Sequence, residues 1–165
     1  MKLSHFAAAA FSVAMIASAH AEVSKKDQDF MTKAAASGMY EVAAGQLAQQ
    51  KGSAEGVKSY GAMLVKDHTA ANEELKSLAS TKGVALPTAL PTDKQARLDK
   101  IGRASSFDKE FVKEVGLDDH KKDISLFEKA SKGADDGDVK AFATKTLPVL
   151  KAHREHAEGL KKSMK

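Results

Sequence analysis

Residues 57–78, VKSYGAMLVKDHTAANEELKSL, decide the fold. Val57, Gly61, Leu64, His68, Ala71, Leu75 and Leu78 recur in alternating steps of four and three. That spacing is the seam of a helix packed on other helices. His68 is the polar member of the seam. Burying an unpaired polar group costs roughly 1–3 kcal/mol, so its imidazole requires a partner on a neighbouring helix.

Upstream, a helix is expected from about Lys26 to Gln50, with Phe30, Ala34, Ser37, Glu41, Ala44 and Ala48 inward. Its small inward residues predict close approach to a neighbour, and Lys51-Gly52-Ser53 ends it with Gly52 as C-cap. The opening stretch belongs to a helix from about Ala54 to Lys82, stopped by Gly83. Val84 to Pro91, VALPTALP, holds two prolines and reads as extended. Asp93 to Gly102 predicts a short helix with Leu98 and Ile101 inward. Ser105 or Ser106 then caps a third long helix, with Phe107, Phe111, Leu117, His120, Ile124 and Phe127 inward. The fourth runs from about Gly137 to Lys162, with Val139, Phe142, Thr146, Val149, His153, His156 and Leu160 inward. Pro148 lacks an N–H and predicts a kink near Thr144. No useful length of strand-like alternation occurs, so the fold class is all-α.

Lys51-Gly52-Ser53-Ala54-Glu55-Gly56-Val57-Lys58 resembles Lys132-Gly133-Ala134-Asp135-Asp136-Gly137-Asp138-Val139-Lys140. This repeat suggests two helical hairpins. Residues 83–105 between them are too many for a tight turn and enough to run back along the helices, as one long crossover. The second and third long helices then start at the same end. His68 lies 14 residues after Ala54 and His120 lies 14 after Ser106, so both reach the same height at ~1.5 Å per residue. Glu41 and His153 fall within roughly two turns of that level.

Residues 1–21 read as a secretory signal peptide: Lys2, an apolar run from Phe6 to Ala17, then Ala19-His20-Ala21 at the cleavage site. The run is too short to span a bilayer. Cleavage leaves residues 22–165 as one domain, expected in the periplasm, with no further integral membrane span. There is no cysteine, which excludes disulfides and thiol chemistry. The net charge of +4 is spread with mixed signs along helices, and no one-sided basic patch with stacking aromatics marks a nucleic-acid surface.

After the leader the chain holds four histidines, His68, His120, His153 and His156, all on stripes read as inward. With Glu41 they offer one or two coordinating side chains per helix. Imidazoles with a carboxylate suit Zn, Cu, Ni or Fe. His153 and His156 are one turn apart, so either can reach a shared ion, and the other can serve as a reserve. The alternative is a buried polar cluster in which Glu41 accepts from an imidazole and helix register is fixed at some cost in stability. A di-iron oxidase requires Glu-x-x-His pairs, but Val65 and Leu150 stand three residues before His68 and His153. Asp67 and Asp119 each precede a histidine and read as surface charges or outer hydrogen-bonding groups, because helix neighbours point about 100° apart.

Asp29-Phe30, Glu41 with Leu47-Ala48, Val57-Lys58, Asp67-His68, Phe107-Asp108, His120, and Leu147-Pro148 with His153 together form a pattern. From about Lys25 to Leu160 the chain resembles the bacterial domain-of-unknown-function 4142 family. The resemblance implies an exported protein with a ferritin-like four-helix fold and no established activity. The family is often labelled outer-membrane, but this sequence has neither barrel strands nor an N-terminal lipid-anchoring cysteine. The expected function is to bind one transition-metal ion in envelope metal handling or stress tolerance. The alternatives are a structural module engaging an envelope protein partner, and a metal-dependent redox or peroxide enzyme.

Overall fold

The computed structural model describes residues 22–164; the expected signal peptide, residues 1–21, lies outside them. The described residues are all-α, with no strand among them. The helices are α1 (Lys25–Lys51), α2 (Glu55–Thr81), α3 (Thr92–Gly102), α4 (Phe107–Phe111), α5 (His120–Gly133) and α6 (Gly137–Ser163). A π-helical segment, Val112–Asp119, joins α4 to α5, so these three pieces form one long rod. No described helix is long and apolar enough to cross a membrane.

α1 packs most extensively on α2, and α5 on α6. The α1–α2 contact is close because two glycines face each other. A Cβ on Gly45 would stand 2.6 Å from the Gly61 carbonyl oxygen, and one on Gly61 would stand 2.6 Å from the Gly45 oxygen. Gly83 ends α2 with φ +68°, a left-handed conformation that glycine adopts without a Cβ penalty.

The turns of the two hairpins are tied crosswise. Asp108, at the start of α4, accepts from the Ser53 and Ala54 amides in the α1–α2 turn. Asp27, at the start of α1, accepts from the Asp135 and Asp136 amides in the α5–α6 turn. Each aspartate thus satisfies backbone donors at the N-terminus of a helix in the opposite hairpin, where a carboxylate is also favoured by the helix dipole.

Two apolar clusters fill the interior. One contains Phe30, Met31, Leu75, Phe127, Phe142 and Leu150; the other contains Tyr40, Val57, Tyr60, Leu64, Phe111 and Val115. The crossover connects them: Val84 and Leu86 pack on the first cluster, and Leu90, Leu98 and Ile101 on the second. The chain therefore returns along the helices before α4 begins. Along α2, the α4–α5 rod and α6, a buried polar residue lies between stretches belonging to the two clusters: His68, His120 and His153; on α1 the buried Glu41 follows Tyr40, where the second cluster begins.

Three local expectations need correction. Ser106 occupies the N-cap position of α4, but its side chain makes no capping hydrogen bond. Gly52 caps the C-terminus of α1 as expected: at φ −58° its amide donates to the Ala48 carbonyl at 2.9 Å, and a Cβ there would stand 2.6 Å from that oxygen. Leu117 and Ile124 are half-buried, while Val115, Gly116, Asp119 and Asp123 take the interior. The π segment is the reason, because its i→i+5 pattern displaces the inward face relative to a continuous α-helix. On α6 the buried residues run Val139, Phe142, Thr146, Leu150, His153 and Ala157, so Val149 and His156 are exposed. The true stripe follows 3.6 residues per turn, which stands Ala157 about five turns directly above Val139. α6 continues through Pro148; Pro148 and Thr144 are both exposed, so the carbonyl that loses its donor is on the wet side.

Candidate metal centre

The polar layer is built from three helices plus one backbone irregularity. His68 comes from the middle of α2, His120 from the first position of α5, and His153 from α6. One nitrogen of each lies within 4.8 Å of the other two. The ring centroids are 5.7 Å apart for His68 and His120, and 5.3 Å for each of the other pairs. His120 is 0 % exposed, His153 1 % and His68 6 %.

The outer hydrogen bonds determine which nitrogens carry protons. His120 Nδ1–H donates to the Val115 carbonyl at 2.9 Å, inside the π segment. His153 Nε2–H donates to Asp67 Oδ2 at 2.9 Å. A carbonyl and a carboxylate only accept, so in the neutral rings His120 Nε2 and His153 Nδ1 are left with lone pairs. Those two atoms face each other at 3.3 Å. His68 Nε2 is also buried without a hydrogen-bond partner. Ligating histidines characteristically give their second nitrogen to a carboxylate or carbonyl, as both rings do here.

Burial holds all three imidazoles neutral. His68 is pushed well below the ordinary histidine range by burial, with His120 and His153 adding to the effect. His120 falls to about 4, again through burial, partly opposed by the Val115 carbonyl. His153 is lowered by burial against the pull of Asp67. The same burial raises Glu41 well above the usual carboxylate range, assisted by Asp123 and Asp119. Asp123 is likewise raised by burial, while the Ser37 hydroxyl donates to it at 2.6 Å.

Of the five residues expected to converge, His68, His120 and His153 do. Glu41 is in the layer but behind His120: its Oε1 lies 3.7 Å from Nδ1, the nitrogen turned away from the other rings. Both Glu41 oxygens are buried without a hydrogen-bond partner. His156 is outside the cluster, exposed and stacked on Tyr60 at 5.3 Å between centroids.

Sequence reasoning undervalued two aspartates. Asp67 is half-buried and orients His153. Asp119 is 3 % exposed and paired with Arg97 of α3 at 2.6 Å; Arg97 also reaches Glu114 at 2.9 Å. Arg97 thereby ties the crossover to the π segment that presents Val115 and His120. The available signal was the Asp-His pair, which occurs at residues 67–68 and again at 119–120.

A surface groove of about 260 Å³ between α2 and α6 is lined by Asp67, His68, Ala71, Thr146, Val149 and His153. An interior chamber of about 20 Å³ touches His68, Ser37, Asn72, Asp123 and Thr146, room for about one water.

Neither the curated proteins nor the solved structures compared with this chain give a match. The pattern of the family described as "Domain of unknown function (DUF4142)" matches residues 13–160, most of the chain, and the protein therefore belongs to the DUF4142 family.

Proposed function

We propose that the protein is an exported ferritin-like four-helix bundle that holds one transition-metal ion on His68, His120 and His153. The observation that carries the reading is the outward commitment of two ring nitrogens, His120 Nδ1 to Val115 and His153 Nε2 to Asp67, which turns two lone pairs toward each other beside His68. Two nitrogens bound to one tetrahedral zinc at 2.0–2.1 Å stand about 3.3 Å apart. The His120–His153 separation of 3.3 Å fits that edge. Three neutral imidazoles suit zinc, copper, nickel or iron, and the absence of cysteine disfavours soft thiolate chemistry. Export is supported by the leader pattern of residues 1–21, and the bundle by the polar layer shared by four long helical rods. A place in envelope metal handling or stress tolerance follows from an ion held at such a site.

Elemental analysis of protein purified from its native compartment, with H68A and H120A alongside, tests the reading. One ion per chain, lost in both variants, is expected. Sub-stoichiometric metal indifferent to both substitutions removes it.

Glu41 favours a second reading, a structural module whose buried polar layer sets helix register. Its two partnerless oxygens at 0 % exposure are a standing cost that a specificity role explains. Stability unaffected by chelators or added metal is the outcome expected of it. The redox or peroxide reading lacks the Glu-x-x-His pairs of di-iron sites.

A further inference from the structure

We infer that an ion at this centre keeps a coordination position that no side chain fills, and that it takes a small anion there, reached from the α2–α6 groove. The inference rests on the metal reading above and concerns what kind of centre it is.

The count of donors comes first. Among the described residues, His68, His120 and His153 are the only side chains found to converge. Both neighbouring carboxylates stand on the wrong sides of the rings. Glu41 lies against His120 Nδ1, and that nitrogen already donates to Val115. Asp67 lies against His153 Nε2, opposite the nitrogen facing His120. Structural zinc sites close with four protein ligands, whereas three leave a position for water or substrate.

Charge selects the ligand. Three neutral imidazoles bring no negative charge to a divalent ion, and an uncompensated charge in a buried site is costly. An anionic fourth ligand lowers that cost, and the ion correspondingly acidifies a bound water. Asp67 lines the groove and accepts from His153 Nε2, so its charge reaches the site only through that ring.

Access is one-sided. Glu41 and His120 are fully buried on the α1–α5 side, whereas His68 and His153 line the groove. Val149 lines the same groove and is 38 % exposed, the one large hydrophobic residue exposed among those described. Lys145 of α6 pairs with Glu74 of α2 at 2.8 Å, and both residues line the groove.

The test uses the full purified chain loaded with Co(II), titrated with azide and followed by its visible d–d absorption. A saturable spectral shift is expected as azide displaces coordinated water. In V149W, which narrows the groove without altering any of the three histidines, Co(II) stoichiometry should be unchanged and the approach to the shifted spectrum slowed. Co(II) bound by all three histidines with a spectrum indifferent to azide overturns the open position while leaving metal binding intact. If E41Q alone makes the spectrum azide-sensitive, Glu41 is the fourth ligand and the inference fails. Absence of stoichiometric Co(II) binding defeats the metal reading itself and the inference with it.

Discussion

His120 Nε2 and His153 Nδ1 stand 3.3 Å apart, each on a ring whose other nitrogen already donates to a fixed acceptor. The pair cannot satisfy itself while both rings are neutral, since neither facing atom carries a proton. A shared proton or a cation resolves this. Burial makes the proton expensive, because it lowers both rings below the ordinary histidine range.

Asp67 is expected to act through His153 rather than on the ion. In D67N the amide can donate to Nε2, which moves the ring proton to Nδ1 and removes the inward lone pair. Metal affinity should fall about 10–100-fold, the range for such outer partners. Competition with a chelator measures the loss. Long-range ¹⁵N correlation of the metal-free protein reads the His153 tautomer, which should be Nε2–H in the parent and Nδ1–H in D67N. An unchanged tautomer and affinity would assign Asp67 a merely structural role.

Acid should weaken the metal-free fold through its three buried imidazoles. His68, His120 and His153 all have folded values below the unfolded one near 6.5. Below that pH the unfolded chain binds more protons, so stability falls as pH drops from about 6.5 toward about 4, where His120 itself titrates. For His120 alone the full loss is on the order of 3 kcal/mol. Urea midpoints of E41Q across this range, where the opposing titration of Glu41 is absent, check it; a flat profile would contradict the burial of the three rings as neutral groups.

Glu41 carries the opposite sign. Its folded value is raised, so its contribution is intact below the ordinary carboxylate range and declines as pH rises toward the folded value. E41Q preserves shape and removes the ionisation. It is expected to match the parent near pH 4 and to be the more stable of the two in alkaline solution, by thermal melting of the metal-free forms.

The crossed turns should be unequal in strength. Asp27 is 1 % exposed and Asp108 half-buried, yet each accepts from two amides. D27A strands its amides in the drier site and should cost about 1–3 kcal/mol; D108A should cost less, because water can replace the carboxylate. Urea denaturation of the two variants measures the difference.

Gly116 should not tolerate a methyl group. A Cβ there would stand 2.6 Å from Ala157 Cβ and 3.4 Å from Tyr60 Cε1, both in the packed interior. G116A is expected to lose about 1–3 kcal/mol by overpacking, and more if the π segment shifts and carries His120 with it. A lowered melting temperature together with weakened metal binding would indicate the latter.

Helix ends were legible because Gly52, Gly83, the Pro87–Pro91 connector and the Gly133–Gly137 turn are local signals. The expected Lys26–Gln50 helix is Lys25–Lys51, and the expected Asp93–Gly102 helix is Thr92–Gly102. The crossover followed from chain length alone. Two features of the site were not legible. The π segment packs Gly116 against Ala157 and is gripped by Arg97 through Glu114 and Asp119, contacts between residues far apart in the chain. Asp67 read as a surface charge or an outer hydrogen-bonding group, and the choice was not legible because its partner, His153, lies 86 positions away.

The sequence by itself determined the height of each histidine along the helices, since rise per residue is a property of the local backbone and accumulates predictably. Only the tertiary structure decided which way each ring turns, which nitrogen keeps its lone pair, and that His156 and Glu41 stand apart from the cluster. Rotation about a helix axis and the choice of proton are set by neighbours on other helices, and the identity of those neighbours is a property of the packed assembly.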